Sequence, residues 1–303
     1  MNPTQLNPAR RSGHEFVARC GRACYPSLRY LMQTEVHVYA FSIAANILLS
    51  LFPLLIILLS ICRNILRWRA ATDAVFLGLK DVFPDEMGQF IAYNLAVIVR
   101  DNRFQIFSIA LLFFTANGIF EPLEVAFNRV WGCHVNRSYF KNQLVSLGLI
   151  FASGTLGLLS TLATAMNTQV VTQHFHPQGD ASVLFARILF NLAAVPLSML
   201  MLFLIYWLLP NCKVPAEKII PAAIIVGLLL ELLKYLNLWT WPWLGDKWHH
   251  EYGPFYYSVS TILWGFLASM LVLAGAEWSA RHAGVSPTPI GPPDLSRTER
   301  FSH

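Results

Sequence analysis

The chain alternates long uncharged apolar runs with short, charge-bearing connections. Val36–Cys62, Asn142–Gly179, Ile188–Cys212 and Tyr252–Ala276 contain no Asp, Glu, Lys or Arg. Phe104–Phe120 is a shorter run that continues into a mixed helix, and Ile219–Leu238 is apolar apart from Glu231 and Lys234. A helix rises about 1.5 Å per residue, so crossing ~30 Å of hydrocarbon takes roughly 20 residues. The pattern predicts six spanning helices, near 38–61, 104–127, 144–166, 185–209, 219–238 and 256–278. One buried helix of a large soluble enzyme could imitate one such run, but not six in one chain.

A long connection, 62–103, separates the first two runs. It carries helical patterns near 70–82 and 86–100, divided by Phe83-Pro84-Asp85, and Phe90, Ile91, Leu95 and Ile98 share an apolar face. This predicts an amphipathic helical pair lying on the outer interface or capping the bundle. A polar segment, 1–37, precedes the spanning domain, 38–280, and a proline-rich tail, 281–303, is expected to be disordered. The amino-terminal segment lacks the pattern of a cleaved signal peptide, so the first span is the expected insertion signal. No internal repeat is evident.

Composition sharpens the class. Of 303 residues, 55% are hydrophobic and only 13% charged, where a soluble domain carries about 25% charged. The fold expected is an all-α integral membrane bundle. The net charge of +5 reflects basic connections rather than nucleic-acid binding. Arg10, Arg11, Arg19, Arg22, Arg29, Arg129, Arg137, Lys141, Lys213, Lys218, Arg281, Arg297 and Arg300 all fall on one side of a six-span topology. Basic residues mark the cytoplasmic face, so both termini are expected inside. The opposite side holds Lys247 between the fifth and sixth spans and, as the main exception, Arg63, Arg67, Arg69, Lys80, Arg100 and Arg103 in the connection 62–103. The five cysteines, Cys20, Cys24, Cys62, Cys133 and Cys212, are odd in number and widely spaced, and are expected as free thiols.

Polar groups at membrane depth are costly and invite functional readings. Ser42, Asn46 and Ser50 recur every fourth residue on one face of the first span, ahead of Pro53. They line a substrate path or make helix–helix contacts. In the second span Thr115, Asn117, Glu121 and Glu124 surround Gly118 and Pro122. That arrangement is a bent inner gate or a helix emerging into the cytoplasm. Glu231 and Lys234 are placed to form an ion pair within the fifth span. Glu277 ends the sixth, within reach of Arg129 or Arg281. Trp239, Trp241, Trp243 and Trp248 read as an aromatic belt. His174 and His176, and His249, His250 and Glu251, lie in predicted loops without a metal-binding spacing. No phosphate-binding loop or nucleophile elbow occurs. The sequence therefore points to no catalytic residue, metal or cofactor.

Three stretches resemble the YihY / virulence factor BrkB family, once labelled ribonuclease BN. They are Ala44-Ala45-Asn46-Ile47-Leu48-Leu49-Ser50-Leu51-Phe52-Pro53, Gly118 to Gly132 with Leu123-Glu124 and Asn128-Arg129-Val130-Trp131-Gly132, and Tyr252-Gly253 through Leu263-Trp264 to Gly275-Ala276-Glu277. Asn46, Pro254 and Gly265-Phe266 depart from the usual pattern. The resemblance implies a multi-pass bacterial inner-membrane protein, with Asn128, Arg129, Trp131, Gly132 and Glu277 as motif residues on the cytoplasmic side. It also implies a transporter or flippase for a lipid, glycolipid or other amphipathic envelope component. The alternative is a non-transporting scaffold that binds envelope proteins or a second copy of itself. A ribonuclease is not expected, because the bundle offers no acid–base or metal cluster in a soluble domain.

Overall fold

A computed structural model describes residues 25–65, 102–133, 137–174 and 195–285, with isolated positions between 67 and 97. Among the described residues every regular element is helical. Six long helices follow a short helical segment at 25–31. They are α1 (Thr34–Ser60), α2 (Asn102–Val130), α3 (Tyr139–His174), α4 (Val195–Leu208), α5 (Ala216–Tyr252) and α6 (Tyr256–His282). Each predicted span falls on one of them; of the fourth, residues 185–194 lie outside the described part. The first, fifth and sixth helices are each long and apolar enough to cross a membrane by themselves, and α4 is a shorter apolar helix. Phe41, Leu49, Phe107, Leu144 and Leu232 face outward, an apolar exterior that suits lipid and would aggregate in water.

α1 lies between α2 and α6, α5 packs on α6, and α3 packs on α2. Without a hydrophobic drive between helices in lipid, close approach depends on small residues. Gly265 supplies this for α6: a side-chain carbon there would stand 3.3 Å from Ala44 Cβ of α1. Phe266, beside it, stacks on Phe41 at 4.2 Å. Gly227 of α5 accommodates Met199 of α4 in the same way. Gly275 of α6 leaves room for Tyr206 of α4 and Val226 of α5, and the Tyr206 hydroxyl donates to the Val272 carbonyl at 2.8 Å. Phe127, Tyr206, Leu209, Ile219 and Leu273 form the buried junction of α2, α4, α5 and α6.

Several boundaries differ from the sequence expectation. α5 continues past residue 238 to Tyr252, about 55 Å in all. The segment with His249, His250 and Glu251 is therefore the last turns of a helix rather than a loop. Proline at 242 costs one hydrogen bond, while the run around it retains helical residues and a Lys247–Glu251 pair. Of the expected aromatic belt, Trp239 and Trp243 are 80% and 69% exposed, but Trp248 is buried and Trp241 stacks on Tyr257. α1 passes through Pro53 and widens into a π-helical turn, Ile61–Ile65. The expected pair at 70–82 and 86–100 lies largely outside the described residues. Val75 and Leu95 are described, and both are buried against Ile56 and Leu59 of α1. The segments 1–24 and 286–303 are also outside the described part.

Candidate functional site

The second family-like stretch ends α2 and builds a polar junction there. Gly132 adopts a left-handed conformation, φ 63°, which only glycine enters without strain. The Cys133 N–H then reaches back to the Asn128 carbonyl at 2.7 Å and the Gly132 N–H to that of Arg129, closing the helix by a Schellman motif. This frees the side chains of Asn128 and Glu124, one turn apart on α2, to hold the connection 209–215. The Asn211 backbone N–H donates to Asn128 Oδ1 at 2.7 Å. Its side-chain amide donates to Glu124 Oε1 at 2.8 Å. Arg137 donates to the carbonyls of Leu208 and Pro210, at 2.9 and 2.7 Å. Glu124 is only 7% exposed, so these partners offset part of the cost of burying a carboxylate.

The same connection is fastened covalently. Cys133 and Cys212 form a disulfide across a separation of 79 residues, while Cys62 is free and buried. This corrects the expectation of free thiols for that pair; Cys20 and Cys24 lie outside the described residues. Sequence spacing gave no warning, because each cysteine follows a different helix and the two meet only when the ends of α2 and α4 are brought together.

A second polar group closes the neighbouring helix ends. Glu277 is buried, takes one hydrogen bond from Ser27 and pairs with Arg281, whose Nε lies 3.2 Å away. Arg281 also donates to Ser27 Oγ. Arg129 pairs with Glu35 at the start of α1, so of the two partners considered for Glu277 it is Arg281 that is found. Burial, with Tyr39 and Glu277 adding, pushes the phenol of Tyr30 above its ordinary range, and Arg129 opposes the shift. Ser279 donates to the Lys218 carbonyl at 2.8 Å, tying α6 to the start of α5. The motif residues thus join the segment 25–31, α1, α2 and α6 at one end of the bundle.

The remaining candidate residues do not converge on these groups. Asn46 donates to the Ser42 carbonyl at 2.9 Å and packs its amide into the space left by Gly118 on α2. Ser50 and Thr115 donate to carbonyls of their own helices. Glu121 is exposed, Trp131 is buried, and the side chain of Asn117 is outside the described residues. Glu231 and Lys234 form the expected pair, at 2.6 Å, along α5. Ser27, Glu35, Arg137 and Asn211 were missed by sequence reasoning. Asn211 sits in Pro210-Asn211-Cys212-Lys213-Val214-Pro215, where polar turn chemistry was the one available signal.

A helical membrane bundle closed at one end by a Gly-terminated α2 and a buried Glu277 is the class defined so far. The family model of virulence factor BrkB matches residues 27–292, and the chain belongs to that family. Among similar proteins are membrane proteins designated UPF0761. The one from Chlorobium chlorochromatii is 26% identical over 252 residues, covering 82% of this chain and 56% of that protein. The one from Laribacter hongkongensis is 27% identical over 255 residues, covering 83% and 59%. The one from Pseudoalteromonas translucida is 24% identical over 259 residues, covering 81% of both. The chain therefore spans little more than half the length of the first two relatives. No solved structure matches.

Proposed function

We propose that this membrane protein moves a lipid or other amphipathic envelope component across the bilayer, with no enzymatic step of its own. The observation that carries this reading is Glu124. It is a buried carboxylate on α2, which continues through Gly118 and Pro122, and one of its oxygens, Oε2, has no hydrogen-bond partner. Ionisable groups at such positions mark substrate or ion pathways by default. The Glu231–Lys234 pair gives α5 a second polar point along its apolar run. The test is translocation of labelled lipids in liposomes containing the purified protein. Unchanged rates across several headgroups would count against transport.

A scaffold is the second reading, and one observation favours it. The polar stripe of α1 is consumed in packing, with Asn46 seated against Gly118 rather than lining open space. Stoichiometric recovery of an envelope protein, or of a homo-oligomer, after gentle extraction would support it. For location, the reading adopts an inner-membrane protein with both termini cytoplasmic, on the basic residues beside α2, α4 and α5. The Cys133–Cys212 disulfide at that same end pulls the other way, because cytoplasmic thiols are ordinarily kept reduced.

A further inference from the structure

The second half of α5 is hardly packed within its own chain. Ile219, Ala222, Ala223, Val226 and Gly227 are buried in the bundle, and Gly245 and Trp248 are buried near the far end, but no residue from Leu228 to Leu244 is buried. That stretch is about 24 Å long and carries the Glu231–Lys234 pair. Glu231 lies about 18 Å along the helix from Ile219 and about 12 Å short of Trp239, which places it within the hydrocarbon layer. Its side chain is 20% exposed and that of Lys234 is 45% exposed. A lysine so placed has the length to snorkel toward headgroups, yet its Nζ turns back to Glu231, one turn deeper. Charged groups on spanning helices face the bundle interior or a water-filled cavity rather than lipid. This pair stands on an exposed surface, and that surface calls for a cover.

The residues around the pair describe that cover. Ile224, Leu228, Glu231, Tyr235 and Leu238 follow one another at steps of four, three, four and three, so they share one face of α5. Ile224, Leu228, Tyr235 and Leu238 are all exposed. An average step of about 3.5 is the spacing at which two helices wrap as a left-handed pair, the common crossing in membranes. Lys234 flanks this face, with Nζ 5.2 Å from the centroid of the Tyr235 ring. The face thus carries an acid and a base one turn apart and is its own electrostatic complement. Copies of one chain insert with the same orientation, so their twofold axis runs along the membrane normal and their α5 helices are parallel. Glu231 of each copy then differs in depth from Lys234 of the other by about 4.5 Å, within side-chain reach. A twofold interface needs this reciprocity, in which i meets j and j meets i. We propose that Ile224, Leu228, Glu231, Tyr235 and Leu238 form a seam on which a second copy of this chain docks, the two Glu231–Lys234 pairs closing into one ring of alternating charge. A partner of one charge sign would attract one member of the pair and repel the other.

The seam rests on neither reading of function: lipid movement by a crosslinked dimer removes the scaffold and keeps the seam. The experiment is oxidative crosslinking of the full-length protein in native membranes, read as dimer on a non-reducing gel. Leu228→Cys and Leu238→Cys place thiols on the seam. Leu229→Cys lies at nearly the same depth but points about 140° away from the seam, and it and the wild-type chain are the controls. One thiol from each copy joins in a disulfide, and two electrons and two protons pass to added copper–phenanthroline and oxygen. About tenfold more dimer is expected from the seam positions than from the controls, because a disulfide forms only between closely placed thiols. Glu231→Lys and Lys234→Glu each leave every copy with two like charges on the seam. Combined with Leu228→Cys, each alone should lose the crosslink, and co-expression of the two should restore it. Should a charge variant fail to accumulate, the comparison of Leu228→Cys with Leu229→Cys decides alone. Lipid, or another part of the same chain, covering the face would give no dimer. Equal yields at positions 228 and 229, no dimer at either, or a crosslink indifferent to the charge variants or not restored by their co-expression, would overturn the proposal.

Discussion

Gly118 and Asn46 form a size-matched pair whose coupling can be worked out in advance. A side-chain carbon at 118 would overlap the Asn46 amide, which is held by its hydrogen bond to the Ser42 carbonyl. Gly118→Ala must therefore displace that amide. The lost hydrogen bond costs about 1 kcal/mol, and forcing an extra carbon into a packed interface costs about 2 kcal/mol. Alanine returns about 0.8 kcal/mol in helix propensity over glycine. The net loss is about 2 kcal/mol. In an Asn46→Ala background the overlap is gone, and the same substitution should stabilise by about 0.8 kcal/mol. The cycle predicts a coupling of about 3 kcal/mol, with the sign of the Gly118→Ala effect reversing between backgrounds. Equilibrium unfolding in mixed micelles, titrated with a denaturing detergent, measures all four corners. The same sign in both backgrounds would refute the packing argument for Asn46 and return it to the list of path-lining candidates.

Gly275→Ala should lower stability by about 1–2 kcal/mol, since the added carbon meets both Tyr206 and Val226 in a buried junction; thermal unfolding should show only partial rescue by Tyr206→Phe. Arg281→Ala leaves Glu277 buried with Ser27 as its remaining partner, a loss of about 1–3 kcal/mol once the partial exposure of Arg281 is allowed for, again read from unfolding. Reducing the Cys133–Cys212 bond releases a loop of 79 residues and should cost about 2–4 kcal/mol; alkylation with and without a reductant, read by mass, should leave both cysteines unlabelled until reduction. Fusion of a reporter after residue 303 should show a cytoplasmic carboxyl terminus, and a periplasmic signal would reverse the orientation.

The helices were legible because lipid imposes a coarse and forgiving rule: long uncharged runs must be helical. Their ends were less so. α5 runs on through Pro242 because an antiparallel partner, α6, supports it, and a window of apolar residues cannot register that support. The motif Asn128-Arg129-Val130-Trp131-Gly132 was visible as a pattern, but its work was not. Gly132 terminates α2, Asn128 holds Asn211, and Arg129 reaches Glu35, a partner distant in sequence. Glu231–Lys234 was readable because both partners share one helix face. Cys133–Cys212 and Glu124–Asn211 were not, because each depends on two connections meeting at one end of the bundle.

Lipid movement in reconstituted vesicles tests the central proposal most directly. Vesicles with wild-type protein, Glu124→Gln or no protein would carry a fluorescent lipid in both leaflets and meet a membrane-impermeant quencher, with and without sodium and proton gradients. The account predicts that wild-type protein exposes inner-leaflet lipid to the quencher under at least one gradient condition, and that Glu124→Gln slows this markedly. Inner-leaflet lipid protected to the same extent with and without protein, for zwitterionic, anionic and glycosylated headgroups alike, would contradict it.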